Sequence, residues 1–162
     1  MQTMPFQPQA CQGYHTIFQR GIGGFLYLGF LPDGDRLLCI SSQYLSLINL
    51  LTGEVREIDG DYDEESLLAY GEGMAQPIDI VGQTGGALPL TNQEEVTVSA
   101  SIDSTGAYPI CSLVWQIAEQ PPYLIFESYL PYVYGFSPDG RYYVHADDGG
   151  LTVLRKKEES SG

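Results

Sequence analysis

Hydrophobic and polar residues alternate in short runs along much of the chain, and the runs end at turn-forming residues such as Gly, Pro, Asp and Asn. Residues 25–30 and 36–41 are two such runs, and a Pro-Asp-Gly sequence at 32–34 lies between them. A period of two is typical of strands with one buried face, and Pro-Asp-Gly favours a tight turn. The pattern predicts a strand pair here, followed by strands at 44–49 and 54–58.

The same arrangement occurs again near the C-terminus. Residues 28–48 read LGFLPDGDRLLCISSQYLSLI, and residues 134–154 read YGFSPDGRYYVHADDGGLTVL. Each segment contains a strand, a Pro-Asp-Gly turn, a second strand, a short turn and a third strand. One structural unit is therefore predicted twice.

A third, weaker copy begins at Val98, where Asp-Ser-Thr-Gly at 103–106 takes the place of the Pro-Asp-Gly turn. The turn glycines Gly34, Gly106 and Gly140 are 72 and 34 residues apart, a spacing that leaves room for one degenerate copy after the first. A repeat of about 35 to 45 residues with several strands is typical of propeller blades. The strands predicted in the third copy are 95–102, 108–111, 113–117 and 123–127.

The predicted fold is all-β and β-propeller-like, with about four four-stranded antiparallel blades. The second blade is degenerate, with short strands at 66–70, 77–81 and 87–90. In the third blade, Pro109 cannot donate to a strand ladder and is expected to place its strand at an edge. The last blade is incomplete by one strand, so either the isolated strand at 14–20 closes it or the blades stay open.

The domain organisation predicted is an N-terminal arm at 1–13, a single domain at 14–155 and a charged tail at 156–162. Twelve Tyr, six Phe, 19 Gly and 10 Pro suit many short strands joined by turns. The sequence has neither a bilayer-spanning apolar stretch nor signal-peptide features, so we expect a cytoplasmic protein. Its three cysteines are too few and too widely spaced for a disulfide framework or a zinc site, and we expect reduced thiols.

Several short motifs fall at corresponding places in the copies. They are Ser-Pro-Asp-Gly at 137–140, Asp-Gly at 148–149, Thr-Gly at 52–53 and Val-Trp-Gln at 114–116. In this order and spacing the chain resembles the WD-repeat β-propeller family, over about 100 of its 162 residues. The resemblance implies blades and leaves the function open. Since Trp-Gln stands where the family has Trp-Asp, a looser propeller relative is the alternative.

Acidic residues outnumber basic residues by 21 to seven, for a net charge of −14. Nucleic-acid binding needs clustered Lys and Arg to neutralise phosphates, and the only basic cluster is at 155–157. The same negative field repels anionic membrane surfaces and attracts a basic protein. The predicted partner is another protein of basic character, with a second copy of this chain, joined through uncovered blade edges, as the alternative.

An acidic stretch after the first blade is predicted to contact the partner, through Asp59, Asp61, Asp63, Glu64 and Glu65. The alternating acids resemble a calcium-binding loop. However, Glu64 stands where such a loop needs Gly, and Tyr70 stands where it needs its last carboxylate. A solvated loop is therefore favoured over a calcium site.

The second predicted contact surface consists of Tyr129, Tyr132 and Tyr134, in a segment rich in tyrosine and proline. Tyr is enriched at protein interfaces because it combines apolar area with a polar tip. Burial of these rings in the core is the alternative reading.

No catalytic residue, cofactor or metal site is predicted. His15 and His145 are the only histidines, and neither has a Cys or Ser at a recognisable nucleophile spacing. The glycine-rich segments lack the Lys of a phosphate-binding loop. We therefore expect a protein that is not an enzyme.

Three function classes follow from this reading. The preferred one is a non-catalytic protein interaction module, scaffold or accessory subunit of a larger assembly. The alternative is a small acidic inhibitor or immunity-type protein that binds a basic toxin or nuclease. The third is an enzyme or small-ligand sensor, which requires a pocket of convergent polar groups near the blade axis.

Overall fold

The structure is a computed structural model, and it describes residues 3–83, 85–92 and 95–158. Within these residues the chain is all-β, with fifteen strands in four antiparallel sheets and one short 3₁₀ helix, Pro8–Ala10. In the described part of the chain, no helix is long and apolar enough to cross a membrane.

Sheets I and II are formed by the first half of the chain. Sheet I has the strand order β5-β4-β3-β2-β9 and sheet II the order β6-β7-β8. The strands are β2 (Phe25–Phe30), β3 (Arg36–Ser41), β4 (Leu45–Asn49), β5 (Val55–Ile58), β6 (Gly60–Asp63), β7 (Leu68–Gly71), β8 (Ile78–Asp79) and β9 (Val81–Gly82).

Sheets III and IV are formed by the second half together with the first strand of the chain. Sheet III has the order β10-β11-β12 and sheet IV the order β1-β15-β14-β13. The strands are β1 (Tyr14–Arg20), β10 (Val96–Asp103), β11 (Ile110–Ile117), β12 (Tyr123–Tyr129), β13 (Val133–Phe136), β14 (Tyr142–Asp147) and β15 (Gly150–Lys156).

The strand predicted at 14–20 completes sheet IV. β1 pairs antiparallel with β15 from Tyr14 opposite Lys156 to Arg20 opposite Leu151. A bulge between Thr16 and Phe18 interrupts the register. The last repeat unit thus obtains its fourth strand from the N-terminal part of the chain, and β15 extends one residue into the tail predicted at 156–162.

The two Pro-Asp-Gly turns have the same local geometry, which explains why their sequences are alike. Gly34 and Gly140 adopt positive φ values of 81° and 77°, which side chains with a Cβ rarely tolerate. In each turn the glycine amide donates to a carbonyl three residues earlier, on Leu31 and Ser137 respectively, at 2.9 Å. The repeat inferred from the sequence therefore corresponds to a repeated turn structure.

The two turns also lie against each other, joined by Arg141. Its guanidinium contacts Asp139 in its own turn at 2.8 Å and Asp35 in the other turn at 3.0 Å. Asp35 also accepts a hydrogen bond of 2.8 Å from the Tyr142 hydroxyl. Sheets I and IV are thus held together at their turn ends by a charged contact and a phenol.

Sheets III and II depart from the predicted pattern. The strands predicted at 108–111 and 113–117 are one continuous strand, β11, because no turn residue separates them. Pro109 precedes that strand, and β11 is the central strand of its sheet, so the edge position predicted for it is wrong. The segment 87–90 is not a strand, and β9 adds to sheet I instead of sheet II. Sheets II and III therefore have three strands each.

Three hydrophobic clusters connect the sheets in the order II, I, IV, III. Leu38 and Ile78 belong to the cluster between sheets I and II, and Leu37 and Val144 to the cluster between sheets I and IV. Trp115 lies in the third cluster, between sheets IV and III. Sheets I and IV are therefore buried on both faces, whereas sheets II and III each keep an outer face. None of these three clusters joins sheet II to sheet III.

The described part of the N-terminal arm docks on sheet III. The backbones of Met4 and Glu127 exchange hydrogen bonds of 2.6 and 2.9 Å, and the Gln7 amide donates to Ile125 at 2.8 Å. The indole of Trp115 donates to the Gln12 carbonyl at 3.1 Å. The arm thus covers the free edge of β12, which would otherwise be an unpaired sheet edge.

Candidate functional site

A connecting segment at residues 85–92 runs past the edge strands β13 of sheet IV and β10 of sheet III. Its Pro89 carbonyl accepts from the Phe136 amide, and its Leu90 carbonyl accepts from the Val98 amide, both at 2.8 Å. Gly135 permits this close approach, since a Cβ there would lie 2.5 Å from the Cβ of Leu88. The segment links sheet IV to sheet III and contributes to the walls of two neighbouring cavities.

One of these cavities, which we call the tyrosine pocket, has a volume of about 260 Å³. Its walls come from β9, the segment 86–90, the facing ends of β10 and β11, and β13 together with the segment that leads into it. The lining residues are Val81, Gly82, Gln83, Gly86, Ala87, Leu88, Leu90, Ile102, Cys111, Leu130, Pro131, Tyr132, Val133 and Tyr134. Since most of these are apolar, the pocket suits an apolar group.

Two of the predicted tyrosines, Tyr132 and Tyr134, line the tyrosine pocket. The Tyr132 ring stacks on Phe25, and its hydroxyl donates to the Asp148 carboxylate. That hydrogen bond raises the pKa of Tyr132, and burial raises the pKa of Tyr134. Both phenols are therefore neutral at physiological pH and act as hydrogen-bonding groups.

The third predicted tyrosine, Tyr129, lies on an exposed rim beside the tyrosine pocket. It is 57% exposed and packs edge-on against Tyr108, which is 68% exposed, with the ring centroids 6.0 Å apart. Ile102, Leu90 and Leu130 line the pocket and are also exposed. Exposed apolar residues that adjoin a pocket are typical of binding surfaces rather than of a core.

Sequence reasoning missed Leu90, Ile102 and Tyr108. Ile102 follows the alternation of β10, which predicts a buried position, but the strand extends past the core at that end. Leu90 and Tyr108 lie outside strands, in segments with no periodic pattern. No signal in the sequence places these residues beside the tyrosines.

The charges around the tyrosine pocket are negative. Among the described residues that line it, none is Lys, Arg or His. The Asp148 carboxylate approaches the pocket through its bond with Tyr132. A ligand at this site would gain from positive charge beside its apolar part.

The predicted acidic residues lie elsewhere, on sheet II and the segment leading into it. All five side chains, Asp59, Asp61, Asp63, Glu64 and Glu65, are exposed, and none lines the tyrosine pocket. The stretch is a β-hairpin and not the loop predicted, because β6 pairs with β7. Its alternating acids reflect the period of a strand.

Sheet II therefore presents an acidic outer face. Asp61 lies opposite Tyr70, and Asp63 lies opposite Leu68, which in turn lies opposite Asp79. The Glu65 amide donates to Asp63 and lowers the pKa of that carboxyl. The described residues contain no cluster of three or more His, Cys, Asp or Glu side chains suited to a metal ion.

The two histidines occupy unlike places. His15 is exposed on β1, whereas His145 is 1% exposed and lies in the layer between sheets IV and III. The His145 Nε2 atom contacts Asp147 at 2.9 Å, and the Phe6 ring of the arm stacks on the imidazole with centroids 4.3 Å apart. The hydrogen bond from His145 lowers the pKa of Asp147. His145 is thus covered by the arm, and the absence of catalysis remains a prediction.

The three thiols are buried, and we expect them to be unreactive in the folded protein. Burial raises the pKa of Cys11 and Cys111, and that of Cys39 to about 12. Because the thiolate is the nucleophile, a disulfide reagent at pH 8 should react about a hundredfold more slowly with the native than with the unfolded protein. The release of the coloured thiol from such a reagent measures this rate.

Because the thiols are buried, the free energy of unfolding should also depend on pH in the alkaline range. The folded thiols keep their protons at pH values where unfolded thiols ionise, so the unfolding free energy should fall as pH rises above about 9. A native thiol that reacts at the unfolded rate would contradict the buried placement.

The site assembled by the fold is thus an open apolar pocket with tyrosines in its wall and on its rim, in an acidic surrounding. Its residues come from β9, β10, β11, β13 with the segment before it, and the connecting segment. No family model matches this chain, and no curated protein and no solved structure is significantly similar to it.

Proposed function

We propose that the protein is a non-catalytic interaction module that binds another protein through the tyrosine pocket and its exposed rim. The observation that carries this proposal is an open apolar pocket continuous with exposed large side chains, among them Tyr129, Tyr108 and Ile102. Aromatic anchors and small apolar pockets are typical of the energetic centres of protein interfaces.

The partner proposed is a basic segment that carries one aliphatic or aromatic anchor residue. The anchor would enter the tyrosine pocket, whose volume is about 260 Å³. Lys or Arg residues beside it would face Asp148. The net charge of −14 would speed the encounter with such a segment and make it sensitive to salt.

The framework proposed for this site is a β-propeller-like stack, related to WD-repeat proteins, in which each sheet is a blade. Two observations support it: the two Pro-Asp-Gly turns have the same geometry and lie side by side, and β1 completes the last sheet. The free state of all three cysteines agrees with a cytoplasmic location.

The test uses a pocket variant and a matched surface variant. Leu130→Asp places a charge in the wall of the tyrosine pocket, and Leu51→Asp makes the same change at a 59% exposed leucine outside it. We expect partners captured from the native cell by the wild type to lose affinity at least about tenfold with Leu130→Asp, a cost of about 1.4 kcal/mol or more.

Leu51→Asp should leave the capture unchanged, and circular dichroism should show both variants folded. Equal capture by Leu130→Asp and wild type would overturn the proposal. An equal loss of the captured partner with Leu130→Asp and with Leu51→Asp would also overturn it.

The acidic outer face of sheet II favours a second candidate, the inhibitor of a basic toxin or nuclease. Asp61 and Asp63 surround exposed Leu68 and Tyr70 on this face. For this function, changing Asp61, Asp63, Glu64 and Glu65 to Asn and Gln should slow association several-fold at low salt, as measured by surface plasmon resonance. Unchanged association rates, together with a loss of capture by Leu130→Asp, would reject the inhibitor in favour of the interaction module.

A further inference from the structure

A cavity of about 290 Å³ lies between sheets I and IV, where the edge strand β1 faces β3, β4 and β5. It shares no described lining residue with the tyrosine pocket. Its apolar walls belong to the hydrophobic cluster between these two sheets or pack against it, and they are formed by Phe18, Ile22, Cys39, Ile48 and Val55. The volume is close to the lower end of the range for small-molecule sites.

The strand register shows which polar side chains point into this cavity. Glu57 lies opposite Ser46, and Ser46 lies opposite Cys39, so all three project from one face of sheet I. That face is turned toward sheet IV, because Cys39 belongs to the cluster between the two sheets. Arg20 lies opposite Leu151 of the same cluster and therefore projects from sheet IV toward sheet I. An arginine and a glutamate thus enter the cavity from facing walls.

These polar groups are not used within the described part of the chain. No described carboxylate lies within 4 Å of the Arg20 guanidinium, and no described basic group lies within that distance of the Glu57 carboxylate. Ser46 is only 7% exposed, yet its hydroxyl forms no hydrogen bond with a described residue. A hydroxyl so far removed from water usually has a partner. Three groups in one cavity therefore have free capacity to bind a ligand.

Charges of opposite sign on facing walls favour a ligand that carries both signs. A simple anion would be attracted by Arg20 and repelled by Glu57, and the reverse holds for a simple cation. A guanidinium can hold a carboxylate through two parallel hydrogen bonds. An ammonium group donates three hydrogen bonds, which the Glu57 carboxylate and the Ser46 hydroxyl can accept. An α-amino acid presents a carboxylate and an ammonium group on one carbon.

We propose that this cavity binds a free α-amino acid with an apolar side chain. The carboxylate of the ligand would face Arg20, and its ammonium group would face Glu57 and Ser46. The apolar side chain would lie against Phe18 and Ile48. The protein would then bind a small ligand at a site separate from the one proposed for its protein partner.

The experiment compares probes that share one phenyl group, by calorimetry and ligand-observed NMR on the full chain. L-phenylalanine carries both charges, phenethylamine lacks the carboxylate, and 3-phenylpropanoate lacks the ammonium group. We expect L-phenylalanine to bind with a Kd of about 1 mM and each analogue to bind at least about tenfold more weakly. L-leucine, with a smaller side chain, is measured beside them.

Two variants at exposed positions identify the charged groups. Arg20→Gln should remove the preference for L-phenylalanine over phenethylamine, and Glu57→Gln should remove its preference over 3-phenylpropanoate. Arg56→Gln and Glu54→Gln make the same changes at residues that do not line the cavity. Arg56 lies opposite Leu47, in the cluster between sheets I and II, and so projects from the other face of sheet I. Both control variants should bind L-phenylalanine within about twofold of the wild type.

Three results would overturn the proposal. The first is no binding of L-phenylalanine or L-leucine up to about 10 mM. The second is binding of either analogue as tight as that of L-phenylalanine. The third is an equal loss of L-phenylalanine binding with the cavity variants and with their controls, which would assign the attraction to the charge of the whole protein. Partner capture with Leu130→Asp tests the proposed function separately from each of these results.

Discussion

Replacing Gly140 by alanine should destabilise the protein by about 3 kcal/mol or more, because two costs act together. Gly140 has a φ of 77°, and a Cβ at this position would lie 2.5 Å from the Asn92 carbonyl oxygen. The obstacle is backbone, and Asn92 is fixed there by its bonds with Val96 and with the Tyr14 hydroxyl. Urea unfolding followed by circular dichroism measures the loss.

Gly53→Ala is the matched control. Gly53 has a φ of 79°, but nothing lies within 4 Å of a Cβ built there. Only the backbone strain remains, so the expected cost is about 1 to 2 kcal/mol. Equal losses for the two variants would show that Asn92 does not abut the second Pro-Asp-Gly turn.

Trp115→Ala should cost about 3 to 5 kcal/mol, since it removes the largest side chain from the cluster between sheets IV and III. The Trp115 ring is fully buried and contacts the rings of Tyr14, Phe136 and Tyr143 within 5.6 Å, measured between centroids. Its indole also donates to the Gln12 carbonyl of the arm. The change therefore loosens two sheets and the arm at once.

Two further variants separate packing from this hydrogen bond. Trp115→Phe keeps an aromatic ring but leaves the Gln12 carbonyl without its donor, and should cost about 1 to 3 kcal/mol. Gln116→Ala, at a half-buried position on the same strand but outside the core clusters, should cost less than about 1 kcal/mol. Circular dichroism in urea reports all three, and a Trp115→Ala loss below 1 kcal/mol would contradict the burial described.

The repeat units with a Pro-Asp-Gly turn were predictable from the sequence, and the others were not. Around Gly34 the turn fixes the ends of both flanking strands, and the strands predicted at 25–30 and 36–41 agree with β2 and β3. Around Gly140 the predicted order of strand, turn and strand agrees with β13 and β14. Counting strands leaves 14–20 as a strand that either completes the last sheet or stays separate from it, and the structure shows the first of these alternatives. The segments that form sheets II and III contain no Pro-Asp-Gly turn. The sequence predicts two strands where the structure has the single strand β11, because nothing in its composition marks a continuous central strand.

The candidate site was predictable only in part. Clustering of tyrosine and proline predicts a contact surface in the segment that contains Tyr132 and Tyr134, and the structure places both residues in the wall of the tyrosine pocket. The opposite wall, with Leu90 and Ile102, depends on the path of the connecting segment across the sheets. That path is set by long-range contacts such as the bond between Pro89 and Phe136, which no local pattern encodes. Whether any of these residues bind a partner stays a prediction.

The pairing of Tyr14 with Lys156 places a constraint on how the protein is made. During synthesis β1 emerges early, whereas its hydrogen-bonding partner β15 is made only after the strands of the other three sheets. Until β15 is made, β1 has no neighbouring strand in its own sheet. The nascent chain then carries an unpaired strand that other chains can join. Because contacts between segments far apart in sequence form slowly, the pairing of β1 with β15 should be a late step of folding.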